Sequence, residues 1–334
     1  MRRRAALAVS AVLVVAGCQS GGGGSPTTAA APSGERSAST ASTASTAPTA
    51  AGTAPAPTTT EPVGDPATLA AELIAAERTI RDPSASPDAI AAAGRVQQRA
   101  YRRLTTNPSW ESAVTMAVPA DLRPAFDANL SASTIGRRLA EQAAATTTAP
   151  TVPTTRSPSL PAWTIRAPKP AAELLGYYRE AEAALGVPWY YLAAINFIET
   201  LMGRIVGVSS AGAEGPMQFL PTTWSACCQG DVWDDHDAII GAATYLARSG
   251  APGDMTAAVW EYNPNEVYLE MVTRYAEVMA ADERAYFGYH AWEVFYSSVA
   301  GDVRLPVGYA AAEPVDAGGY VAAHPEDRVS ATFP

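Results

Sequence analysis

The chain has 334 residues, and its chemistry-bearing side chains gather in a few places. One carboxylate, Glu199, closes an apolar stretch, Ile195-Asn196-Phe197-Ile198-Glu199. Gly203, Gly207, Gly212 and Gly215 follow it, and then Met217, Gln218 and Phe219, which join apolar surface to an amide. Glycines at this density end a helix and permit tight turns. A glutamate beside an apolar helix face, near the negative end of the helix, has its charged form disfavoured on both counts. Its pKa then rises, which suits a general acid working near neutral pH. The plainer reading is an exposed glutamate at a helix end.

Other titratable groups carry less. Asp231, Asp234, Asp235 and Asp237 surround His236, but the spacing is not that of an EF-hand loop and its central glycine is missing. Asp234 or Asp235 is instead read as the cap of a helix over residues 238–248. With three histidines in the chain, a histidine-based zinc site is not expected, and neither metal nor cofactor is called for. Cys227 and Cys228 are adjacent. If Cys18 is lipidated, they pair with each other or stay free, and both states remain open.

The elements that position Glu199 follow from periodicity. Pro188 suits a first helical position, and Leu192, Ile195, Ile198, Glu199 and Met202 recur at three- and four-residue steps. The spacing predicts a helix that Gly203 stops, with Glu199 in its last turn. An amphipathic helix over 171–185 precedes it. Later helices are expected over 256–262 and 266–280, the latter with Val267, Met271 and Tyr275 in register. The aromatics from Tyr286 to Tyr296 read as core, with sugar stacking as the alternative.

The pattern Glu-Thr-x-x-Gly-Arg, then Ser-x-x-Gly-Ala-x-Gly-x-Met-Gln-Phe-x-Pro-x-Thr, runs from Glu199 to Thr223. With the downstream pair Tyr262-Asn263, it resembles the lytic transglycosylases of the goose-type lysozyme superfamily. Pro216 departs from the pattern, standing where many relatives carry an apolar residue such as Leu. The resemblance covers about residues 173–275. It implies a mainly α, lysozyme-like domain with a groove for a glycan strand. It implies cleavage of the β-1,4 bond between N-acetylmuramic acid and N-acetylglucosamine in peptidoglycan, leaving a 1,6-anhydro end. Glu199 would act as acid and then base, Tyr262 would hydrogen-bond Glu199, and Ser209 and Gln218 would orient substrate. Met217 and Phe219 would line the groove, and Asn263 would belong to the substrate site. Ordinary glycosidases need a second carboxylate, for which Glu214 and Glu261 are the candidates. A hydrolytic muramidase of the same fold and an inactive wall-binding lipoprotein are the other readings.

Composition shifts divide the chain. Residues 1–18 read as a lipoprotein signal: Arg2-Arg3-Arg4, an apolar segment too short to span a membrane, then Val15-Ala16-Gly17-Cys18, which resembles a lipobox. Cys18 would carry the lipid and hold the protein on the outer face of the cell membrane. Residues 19–61, rich in Ala, Ser, Thr, Pro and Gly, read as a disordered tether reaching about 35 Å. Residues 62–145 are expected to form a separate helical region, 146–161 a linker, 162–309 the catalytic domain, and 310–334 a disordered tail. An arginine cluster, Arg99, Arg102, Arg103, Arg137 and Arg138, reads as a solvated face or as one meeting anionic lipid or wall polymer. Residues 163–310 hold eight Lys and Arg against eighteen Asp and Glu, a net −10 that argues against nucleic acid as a partner.

Overall fold

A computed structural model describes residues 64–146 and 156–329. The expected signal, Cys18 and the tether lie outside the described residues, as does most of the linker. The fold is mainly helical. The first four helices are α1 (Pro66–Arg81), α2 (Pro87–Thr106), α3 (Glu111–Ala117) and α4 (Arg123–Thr146). Asp65 and Ser86 cap the first two, each just before a proline that fits the first helical position. Two short strands follow, β1 (Ser159–Leu160) and β2 (Thr164–Ile165), then α5 (Ala171–Leu185) and α6 (Trp189–Thr200). After β3 (Ile205–Val206) come α7 (Pro221–Cys227), α8 (Asp235–Arg248), α9 (Met255–Tyr262), α10 (Glu266–Ala281) and α11 (Arg284–His290). The chain closes with a hairpin, β4 (Val294–Ser298) and β5 (Gly301–Leu305), then β6 (Val315–Asp316) and α12 (Ala317–Ala323). Asp234 caps α8, as the aspartate spacing suggested, while Asp235 turns to Arg166.

The N-terminal helices do not form the separate region expected from the composition. Leu69, Tyr101, Leu104 and Phe126 belong to the same buried cluster as Leu174, Phe197, Tyr275 and Trp292. Long α10 packs against both α4 and α6. Polar side chains add directed links across about 195 positions of sequence. Gln98 donates to the Glu293 carbonyl at 2.7 Å and accepts from the Glu293 amide at 2.8 Å. The Trp292 indole donates to Gln97, whose amide donates to buried Glu77. Helices α2 and α11 meet at glycines: a Cβ on Gly94 would lie 2.2 Å from the Gly288 carbonyl oxygen.

The arginine cluster is spent on this seam and its neighbours. Arg102 pairs with Asp302 and lies over the Phe295 ring, and Arg99 reaches Glu293. Arg103 pairs with Glu72, Arg137 with Glu111, and Arg138 donates to Ser131. Of the two readings of this cluster, a solvated face or one meeting anionic lipid or wall polymer, neither included these partners within the chain.

The tail is also corrected. Residues 310–329 are folded: β6 pairs antiparallel with β1, and Ala317 is buried. Asp327, 3 % exposed, takes hydrogen bonds from Arg304 and Tyr320. Glycine- and proline-rich composition hid a segment held by backbone pairing and one buried carboxylate. The 286–296 aromatics are core, with Tyr286, Tyr289 and Trp292 all buried.

Candidate active site

Helix α6 buries almost its whole surface, from Leu192 through Thr200. It ends at Thr200, short of Gly203. Leu201, Met202 and Gly203 then take φ of 51, 61 and 78°, a left-handed turn in which only the last is glycine. Leu and Met in this region are strained, by about 1–3 kcal/mol each, and such strain gathers at functional sites. Side chains of α6 hold the turn and the following loop together. Thr200 Oγ1 accepts from the Gly203 amide at 3.0 Å and donates to the Pro216 carbonyl at 2.7 Å. Asn196 donates to the same carbonyl at 2.8 Å, and its own oxygen accepts from Tyr178 at 2.6 Å. Pro216, the departure from the family pattern, thus contributes through its backbone.

The 209–219 loop folds back on itself. Glu214 and Phe219 exchange backbone hydrogen bonds at 2.8 and 2.9 Å, Gln218 has φ of 51°, and its amide donates to Gly215 and Gly207. Ser209 Oγ accepts from the Ala213 amide at 3.0 Å. Gly215, at φ 74°, has no room for a side chain, since a Cβ would stand 1.8 Å from the Val232 carbonyl oxygen.

Glu199 lies inside this frame, 1 % exposed. Neither carboxyl oxygen has a hydrogen-bond partner, and both are shielded from solvent. Burial raises its pKa from an ordinary 4.5 to about 8, and the neighbouring Tyr268 hydroxyl draws it back only in part. The Tyr268 oxygen is itself buried, and it does not reach hydrogen-bond geometry with Glu199. No other charged side chain among the described residues acts on the Glu199 charge. Glu214, one of the two candidates for a second carboxylate, sits where the loop pairs back on Phe219 through its backbone, and Glu261 lies in α9.

Two expectations about this site are corrected. Tyr262 does not bond Glu199: its hydroxyl donates to the Met217 carbonyl at 2.6 Å, which spans from α9 to the loop. The tyrosine beside the acid is Tyr268, in the first turn of α10, its ring parallel to that of Tyr262 at 6.4 Å. The signal for it was an aromatic seven residues before Tyr275, on the buried face of α10. The implied groove is likewise closed at the acid. Ser209, Met217, Gln218, Phe219, Tyr262 and Asn263 are all buried. Phe219 packs against Trp224, Tyr245 and Tyr262. A cavity of about 420 Å³ lies elsewhere, lined by residues including Glu111, Asp127, Arg138 and Arg274, and shares no residue with the Glu199 site.

The arrangement has one neutral, desolvated carboxyl able to give a proton and then to take one back. The chain is 27% identical over 129 residues to a protein of Thiobacillus denitrificans described as membrane-bound lytic murein transglycosylase F. The match covers 36% of this chain and 27% of that protein, so the chain spans about a quarter of the relative's length. No family model matches the chain, and no solved structure matches it.

Proposed function

We propose that the protein is a peptidoglycan lytic transglycosylase of lysozyme-like fold with Glu199 as its single acid and base. The observation that carries this reading is the Glu199 carboxyl, buried, unpartnered and still protonated near pH 7. Protonated Glu199 gives its proton to the oxygen of the bond between N-acetylmuramic acid and N-acetylglucosamine, and that bond breaks. The resulting carboxylate takes the proton of the muramyl C6 hydroxyl while that oxygen closes on C1. A 1,6-anhydro end forms, and the acid is regenerated for the next cycle.

Physical arguments favour this route over hydrolysis. The reading gives both proton transfers to Glu199 alone, whereas a retaining or inverting glycosidase uses a pair of carboxylates. The site also excludes solvent, which favours an attacking group carried by the substrate itself. The partly matching murein transglycosylase supports the substrate class. Glycan entry requires the 209–219 loop and α9 to part, and the Tyr262–Met217 hydrogen bond is the link that opening breaks. Met217, Gln218, Phe219, Ser209 and Asn263 then face the strand.

The reading includes an extracytoplasmic position, anchored through Cys18. Among the described residues no helix is long and apolar enough to cross a membrane. The bonded pair Cys227–Cys228 suits an oxidising compartment. The test is mass spectrometry of peptidoglycan after digestion: anhydro ends support the proposal, and reducing ends in their place mark a hydrolase.

A further inference from the structure

The pair left open by the sequence is oxidised: Cys227 and Cys228 form a disulfide between neighbouring residues. Neighbours are a poor frame for this bond, because the ring it closes contains the peptide unit itself. Relaxed disulfides span α-carbons about 4.4–6.8 Å apart, more than adjacent residues allow. Bonds held in such rings, and within reach of solvent, are the ones that exchange readily with thiols. Both cysteines are half-buried rather than sealed in the core.

The pair also sits between two contacts that brace the 209–219 loop. Cys227 ends α7 and Cys228 caps it, with the Cys228 amide bonded to the Trp224 carbonyl at 2.9 Å. On the upstream side, Trp224 packs on Phe219 with ring centres 5.2 Å apart. Trp224 and Cys228 both lie against Gly241 of α8, where a Cβ would come 2.4 Å from the indole and 3.4 Å from Cys228 Cβ. On the downstream side, the Val232 carbonyl rests on Gly215. The end of α7 and residues 229–233 thus form one brace, and the disulfide fixes its middle.

We propose that Cys227–Cys228 is a thiol–disulfide exchange site for a dithiol reductant, and that its oxidation state controls the order of the 209–219 loop. A reductant thiolate attacks one sulfur, giving a mixed disulfide and releasing the other cysteine as a thiolate. The second thiol of the reductant then displaces the first cysteine and takes its place in a new disulfide. Two electrons and two protons pass to the protein, which ends with two thiols, while the reductant ends as its own disulfide. Opening the ring frees the end of α7, and the brace behind Phe219 and Gly215 loosens.

The full chain, purified in air, is alkylated before and after mild treatment with dithiothreitol, and the tryptic peptide 205–248 is weighed. The expected result is no label before treatment and two labels after it, with the circular dichroism of the folded protein retained. Amide hydrogen exchange at Glu214, Gln218 and Phe219 should then speed up by about tenfold, since local opening costs less than global unfolding. A double variant, Cys227→Ser with Cys228→Ser, should show the fast exchange with or without reductant. The cleavage arm alone rests on the proposed activity: reduction should slow release of products by about tenfold, within the cost of a small misplacement at a reacting centre. Labels already present in untreated protein, labels that appear only as the protein unfolds, or unchanged exchange at 213–219 after full reduction would each overturn the proposal. If the untreated protein cleaves nothing, the transglycosylase reading fails, while labelling and hydrogen exchange still decide this one.

Discussion

At the scale of the residue, the central fact is a glutamate kept neutral by burial. Its pKa near 8 makes two separable predictions. Cleavage should persist through neutral pH and fall as pH rises through about 8, because the acid must hold its proton. Stability should fall earlier, as pH rises from about 4.5 to about 8. Below about 4.5 both the folded and the unfolded chain carry this proton; between there and about 8 only the unfolded chain releases it, so rising pH favours unfolding. Glu199→Gln abolishes that slope. Denaturant melts of the two proteins should agree near pH 4 and diverge by a few kcal/mol at pH 8.5, with the variant the more stable. Parallel curves would mean that Glu199 is ionised in the fold. The two tyrosines should also separate. Tyr268→Phe removes the dipole that favours the carboxylate, so the upper limb of the pH–rate profile should move to higher pH. Tyr262→Phe cuts the link to Met217 and should leave that limb in place.

At the scale of the element, much was legible. Prolines, caps and three- and four-residue apolar steps located α1, α2, α6, α8 and α10, and Glu199 falls in the last turn of α6 as the spacing required. What sequence could not show was how those elements meet. The stripe on α10 was read through Val267, Met271 and Tyr275, yet the buried face runs through Tyr268, Met271, Val272 and Tyr275. That one-position difference hid the tyrosine beside the acid. The seam between α2 and the C-terminal elements depends on Gln97, Gln98 and Arg102, polar residues whose partners lie about 195–200 positions away. No local pattern announces such pairs. The seam makes two predictions. A chain starting at residue 162 should fail to fold, since it bares Phe197, Tyr275 and Trp292 and leaves Glu293 without Gln98. Circular dichroism of that chain beside one starting at residue 64 checks this, and a cooperative melt of the shorter chain would contradict it. Gly94→Ala should drive α2 from α11, at about 1–3 kcal/mol, seen as a lower melting temperature.

At the scale of the whole molecule, the proposed function joins an anchor, a tether and a folded acidic body. The anchor is testable apart from the chemistry: Cys18→Ala should move the protein from the membrane fraction to the soluble one, with loss of the lipid mass. Retention on washed membranes with unchanged mass would remove lipidation from the reading. The folded body is one hydrophobic unit around α6 and α10, and its packing keeps a carboxyl dry without a partner. The chemistry asks that one group to give a proton and recover it within a turnover. The most direct measurement is therefore the release of 1,6-anhydromuropeptides from purified peptidoglycan, by wild type and Glu199→Gln together. Gln fills the same space, has no acidic proton and cannot act as a base, so its rate should fall by about 10⁴-fold, the upper end of what acid–base help supplies, while its fold is retained. Anhydro products from the wild type alone are the predicted result. A Glu199→Gln protein that keeps more than about a tenth of the wild-type rate, beside the 10²–10⁴-fold that acid–base help supplies, would contradict the assignment of this residue.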